Sequence, residues 1–189
     1  MESTNNGKAK IYTSFEGIQV TVPSLTNWFV LLFGTAWLGG WITGFDGVSN
    51  LLFSNDSDPN GIEWFLMLWL VLWTIGGIFV IGLLLWGYFG KETFLITKNQ
   101  VKFNKTIFGI GIKKVLNMQE IKNIRFNEIK VNWRDKRHSL HYWGAGEGKI
   151  KFDYGMKTYS FGLGLDDAEA NYLVDLLKKE MRQEPNNVK

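Results

Sequence analysis

The side chains best placed to do chemistry in this chain are cations. Lys102, Lys105, Lys113 and Lys114 crowd one stretch, and Arg134, Lys136 and Arg137 crowd another, with His138 beside them. Clusters of this kind contact anions. Near a membrane surface each Lys or Arg gains about 1 kcal/mol from anionic headgroups, and phosphate is the other natural ligand. A solvated hairpin turn, partly neutralised by Asp135, is the plainer account of the second cluster. Other chemistries find less support. The chain has no cysteine, which removes disulfides, thiolate metal sites and cysteine nucleophiles. His138 and His141 are the only histidines; three apart in an extended segment, they fall on opposite faces, a poor arrangement for one metal ion. The run GAGEGK at 144–149 ends in the lysine of a phosphate loop. However, Trp143 stands where its first glycine belongs, and Ile150 follows the lysine in place of Ser or Thr. Gly162 and Gly164 lead into a helix, but Asp166 and Asp167 at its start repel a phosphate. No spacing suggests a Ser-His-Asp triad or paired carboxylates. The expectation is a non-enzymatic protein that needs no metal or cofactor.

The elements that carry these residues begin with two apolar runs. Asn27 to Phe45 contains no charge, and its 19 residues reach ~28 Å as a helix, close to a bilayer core. Ile62 to Phe89 holds one charge, Glu63, at its outer end, with Trp64 and Trp86 near the two ends where indoles favour headgroups. The sequence therefore predicts a two-helix transmembrane hairpin over 25–90, with spans at 27–45 and 62–89 and an acidic outer loop at 46–61. That loop carries Asp46, Asp56 and Asp58 and no Lys or Arg. Residues 91–189 carry 19 Lys and Arg against 12 Asp and Glu, and the first 90 residues carry 2 against 6. The positive-inside rule then places both termini in the cytoplasm. Ala36, Gly40 and Gly44 recur every four residues on the first helix. Such a face either packs the hairpin together or receives another membrane protein or a second copy. Neither span holds an ionisable residue deep inside, which argues against an ion-coupled transporter. Nucleic acid is not an expected partner, because the bilayer anchor restricts it and orientation already accounts for the basic charge.

After Gly90 the hydrophobic period changes to two. Val101 and Phe103, Ile124 and Phe126, Ile129 to Trp133, Ile150 to Tyr154, and Tyr159 with Phe161 alternate with polar residues. The pattern predicts about seven antiparallel strands. Turns fall at Lys98-Asn99, Phe108-Gly109, Gly144 to Gly148 and Gly155-Met156. Asp166 and Glu169 read as a capping box for a last helix with an apolar stripe of Ala170, Leu173, Leu176, Leu177 and Met181. Pro185 ends it, leaving 185–189 as a tail. Ahead of the spans, residues 1–24 form a tail in which KIYTSFEGIQVTVP reads as a β-hairpin turning at Glu16-Gly17; packing against the later domain is the preferred placement.

Seven short strands closed by one C-terminal helix is the order of a pleckstrin-homology-like (PH-like) domain. The stretch ETFLITKNQVKFNKTIFGIGIKKVLNMQEIKNIRF resembles bacterial members of that superfamily at Thr97, Val101, Gly109, Ile121 and Ile124, the last two in an I-x-x-I pair. The resemblance covers residues 88–183, and WRDKRHSLHYWGAGEGK departs from it. It implies a PH-like domain over 91–184 on a bacterial cytoplasmic membrane, with no catalytic residues. The expected function is a membrane-anchored adaptor or accessory subunit for a protein partner. The alternative is a binder of anionic lipid headgroups.

Overall fold

The first apolar run is closed at its N-terminus by Asn27, whose side chain accepts the Val30 N–H at 3.4 Å. In the computed structural model, which describes residues 2–53, 62–128 and 146–183, this helix, α1, runs Trp28–Phe53. It is longer than the span drawn from sequence. Asp46 belongs to the helix and not to a loop, because no proline interrupts it and Val48, Leu51, Leu52 and Phe53 extend its apolar surface. The second helix, α2, runs Ile62–Phe89. The rest of the outer loop, and the whole Arg134, Lys136, Arg137, His138 and His141 segment, lie outside the described residues.

The chain divides into two compact units, Asn27–Leu85 and Met1–Thr26 with Trp86–Lys189. In the first, both helices are long and apolar enough to cross a membrane. They meet through bulk set against glycine. The Trp41 indole N–H donates to the Trp73 carbonyl at 3.1 Å, and the Trp73 indole returns a bond to the Trp41 carbonyl at 3.4 Å. Each indole thus keeps its donor satisfied inside apolar surroundings. Gly77 leaves the space that the Trp41 ring fills, and Gly34 does the same for Leu84.

In the second unit, strands β1 (Glu2–Asn6), β2 (Ala9–Ser14) and β3 (Gly17–Pro23) precede the helices. Strands β4 (Gly90–Ile96), β5 (Gln100–Ile107), β6 (Ile110–Asn117), β7 (Ile121–Phe126), β8 (Ile150–Tyr154) and β9 (Lys157–Phe161) follow them. Strands β1 to β6 form one antiparallel sheet in sequence order, and β7 to β9 form a second. The N-terminal segment is therefore part of the sheet: β3 pairs directly with β4, Val20 opposite Phe94 and Pro23 opposite Lys91. Helix α3, Asp167–Gln183, closes the unit.

The alternation seen in sequence points inward as it should. Phe94 and Phe103 from the first sheet meet Phe152 and Phe161 from the second. Phe94 stacks on Phe161 at 4.9 Å and meets Phe152 edge-on at 5.5 Å. Phe94, Phe152 and Phe161 are fully buried, each contributing roughly 2–3 kcal/mol of hydrophobic stabilisation. From α3, Ala170, Leu173, Val174 and Leu177 are buried, while Leu176 and Met181 are only partly covered. The inward stripe is thus shifted by one residue at Val174 relative to the sequence reading.

Ile121 and Ile124 are both buried although three apart in one strand. The β7–β8 register shifts between Lys122 and Arg125, and Asn123 takes a left-handed φ of 52°. This is a β-bulge that turns two consecutive residues outward and restores the inward face at Ile124. It gives the I-x-x-I pair a physical reason.

Candidate functional site

The four lysines of β5 and β6 do not form one patch. Val101 and Phe103 face the core, so Lys105 shares their face and Lys102 takes the other. The register sets Lys114 opposite Phe103 and Lys113 opposite Asn104. Lys102 and Lys113 therefore share the outer face, and Lys105 and Lys114 share the inner one. The inner pair is engaged. Lys105 Nζ lies 2.7 Å from the Glu92 carboxylate, and Lys114 sits 4.4 Å from the centre of the Tyr159 ring. The four lysines thus divide into two exposed on the outer face, Lys102 and Lys113, and two that contact Glu92 and Tyr159.

Glu92 is not among the residues that the sequence singles out. It is only 4% exposed, accepts the Gly162 N–H at 2.5 Å through one oxygen and holds Lys105 with the other. It thus ties β4 to β5 and to the end of β9. The signal was present: Glu92 falls in phase with Phe94 and Ile96, which face inward, and Lys105 is its direct cross-strand partner.

A second carboxylate organises the smaller sheet. Asp153 accepts two bonds from Arg125 at 2.8 and 3.1 Å, one from Thr158 at 2.7 Å and one from Asn123 at 3.1 Å. The Arg125 hydrogen bonds, then those of Thr158 and Asn123, hold its carboxyl well below the usual carboxylate range. The same contact raises the Arg125 guanidinium. The bulge at Asn123 is what brings Arg125 and Asn123 to one oxygen. Asp153 forms one wall of a shallow hollow of about 690 Å³ lined by Ile121, Lys122, Arg125, Lys178 and Arg182. With its lone pairs occupied and its proton affinity lowered, Asp153 is a poor general base. Among the described residues no cluster of three or more metal-ligating side chains is found.

The capping box holds by half. Asp166 accepts the Glu169 N–H at 2.7 Å, but the Glu169 side chain does not turn back to it. Its carboxylate accepts the Ala9 N–H at 2.6 Å, and Lys8 Nζ donates to the Gly164 carbonyl at 3.1 Å. The turn between β1 and β2 is thereby bound to the start of α3. A long-range backbone donor has displaced the local one.

On α1, Ala36 and Gly40 are exposed, and a Cβ added at Gly40 would meet nothing within 4 Å; only Gly44 approaches α2, at the Trp73 ring. The hairpin packs through Gly34, Trp41 and Gly77, with only Gly44 of this face taking part.

Two long apolar helices joined to an antiparallel β unit with a C-terminal helix define the architecture. No protein-family model, curated protein or solved structure matches the chain.

Proposed function

We propose that this chain is a two-span protein of a bacterial cytoplasmic membrane whose β unit is a PH-like domain on the cytoplasmic side. It acts as a non-enzymatic adaptor for a protein partner. Pairing of β3 with β4 supports the topology, because strands that share hydrogen bonds on either side of the helices must lie on one side of a bilayer. The helices then cross an even number of times, and the basic composition after Lys91 selects the cytoplasm. Two antiparallel sheets closed by α3 support the PH-like reading, with the three N-terminal strands as an addition to it.

The observation that carries the adaptor reading is the uncovered Ala36 and Gly40 face, a smooth surface for close approach of another apolar helix. Purification of the full-length protein in mild detergent tests it. A partner should co-purify with the wild type and be lost from Gly40→Leu, at a position where an added Cβ meets nothing of the hairpin itself. A protein that runs alone, or only with itself, refutes the adaptor. Binding of anionic headgroups is the second reading, favoured by Lys102 and Lys113 on one outer face. It predicts salt-sensitive binding to anionic liposomes that Lys102→Glu/Lys113→Glu weakens.

A further inference from the structure

The turn between β5 and β6 is built from the wrong residue for its shape. Ile107 pairs with Ile110, so Phe108 and Gly109 alone make the turn, with φ of 51° and 84°. Two positive φ values define the tight hairpin turn for which Asn-Gly is favoured. A phenylalanine there is a bulky side chain held in a left-handed conformation, an outlier for its residue type. The strain gives no return in core packing. Phe108 is 70% exposed, and Ile110 and Ile112 next to it are 81% and 61% exposed. Three large apolar residues at one strand end, one of them in the turn, are an unusual thing to leave to water.

An aromatic contact of this tip names its surroundings among the described residues. The Phe108 ring lies 4.5 Å from that of Phe89, the last residue of α2. Gly90, which follows, pairs with Ile107. The tip therefore sits beside the last turn of an apolar helix, at the point where that helix passes into the sheet. Lys91 and Lys113 are exposed one and three strand pairs further from the turn, as cations above an apolar wedge would be placed to meet headgroups.

We propose that the β5–β6 tip, Phe108 with Ile110 and Ile112, inserts into the boundary between headgroups and acyl chains next to α2. It gives the β unit a second hold on the same leaflet. This rests on the reading that α2 spans the bilayer, and the test separates the two. The chain has no cysteine, so single cysteines can be placed in the full-length protein and spin-labelled in phospholipid vesicles. Positions 108 and 110 are compared with Met156, a fully exposed apolar turn residue, and with Ile78, exposed on α2. Accessibility to oxygen, relative to a water-soluble nickel chelate, is expected to be several-fold higher at 108 and 110 than at 156, and to approach that at 78. Phe108→Asn suits the turn better, so the label at 110 should lose lipid contact while the unfolding temperature holds or rises.

Values at 108 and 110 like those at 156, with 78 in lipid, overturn the proposal and leave the spans intact. An aqueous value at 78 removes the membrane reading and this proposal with it. Labels at 108 and 110 shielded from both reagents would mean that a second copy covers the tip, which also overturns it.

Discussion

Replacing Lys105 by methionine separates a structural lysine from a ligand-binding one. Its partner Glu92 has a side chain only 5% exposed, while the lysine side chain is 32% exposed. Removing one member of a fully buried pair costs about 3–5 kcal/mol, whereas an exposed pair is worth ~0–1. With one end open to water, Lys105→Met should cost about 2 kcal/mol, because Glu92 is left charged on the Gly162 N–H alone. That corresponds to roughly 30-fold faster opening. Amide hydrogen exchange of the full-length protein in detergent would report it in peptides from β4 and β9, the strands that Glu92 joins. The double variant Glu92→Gln/Lys105→Met removes the stranded charge and keeps an acceptor for Gly162, so exchange should return most of the way to the wild-type rate. Unchanged exchange in Lys105→Met would refute the reasoning and return Lys105 to the pool of ligand-binding residues. A double variant that is worse than the single one would show that the charge is not what destabilises it.

The remaining expectations concern the core, the hairpin and the small sheet. Phe94→Ala removes a ring at the centre of the four-phenylalanine cluster and should lower stability by ~3–5 kcal/mol, read from urea unfolding in detergent. Gly77→Ala places a methyl where the Trp41 ring lies and should cost the helix pair ~1–3 kcal/mol. Gly40→Ala meets nothing, so the same thermal assay should leave it near wild type. Asp153 titrates below the usual carboxylate range in the folded state. Its stabilisation is therefore complete above the ordinary aspartate value and is lost only as pH falls through that value towards the folded one. Exchange protection in β7 to β9 should hold down to about pH 4 and fail in stronger acid. Asp153→Asn should weaken it already at neutral pH.

What could be read without coordinates depended on how local its cause was. The inward positions of Val101, Phe103, Phe152 and Phe161 follow from period two alone, and the structure buries all four. The lysines misled for the same reason in reverse. Proximity in sequence suggested a patch, but alternation sends Lys102 and Lys105 to opposite faces. The role of Glu92 needed a register, which joins residues thirteen positions apart and is set by the Lys98-Asn99 turn. The I-x-x-I spacing was visible, but its cause, a left-handed Asn123, was not. Asp166 caps the last helix as its local spacing suggests, yet the Glu169 side chain is claimed by Ala9 from the other end of the chain. The pairing of β3 with β4 is of that kind too: no window of sequence spans it.

That pairing also orders events during synthesis. Strand β3 leaves the ribosome before either helix, and β4 only after both. At about 5–20 residues per second, the intervening helices take several seconds to make. Throughout that interval the β3 edge has its backbone donors and acceptors open to any passing strand. Closure of the sheet must wait until both apolar helices have been made. A chain stalled before β4 would present an unfinished sheet, a form that quality-control proteases can recognise.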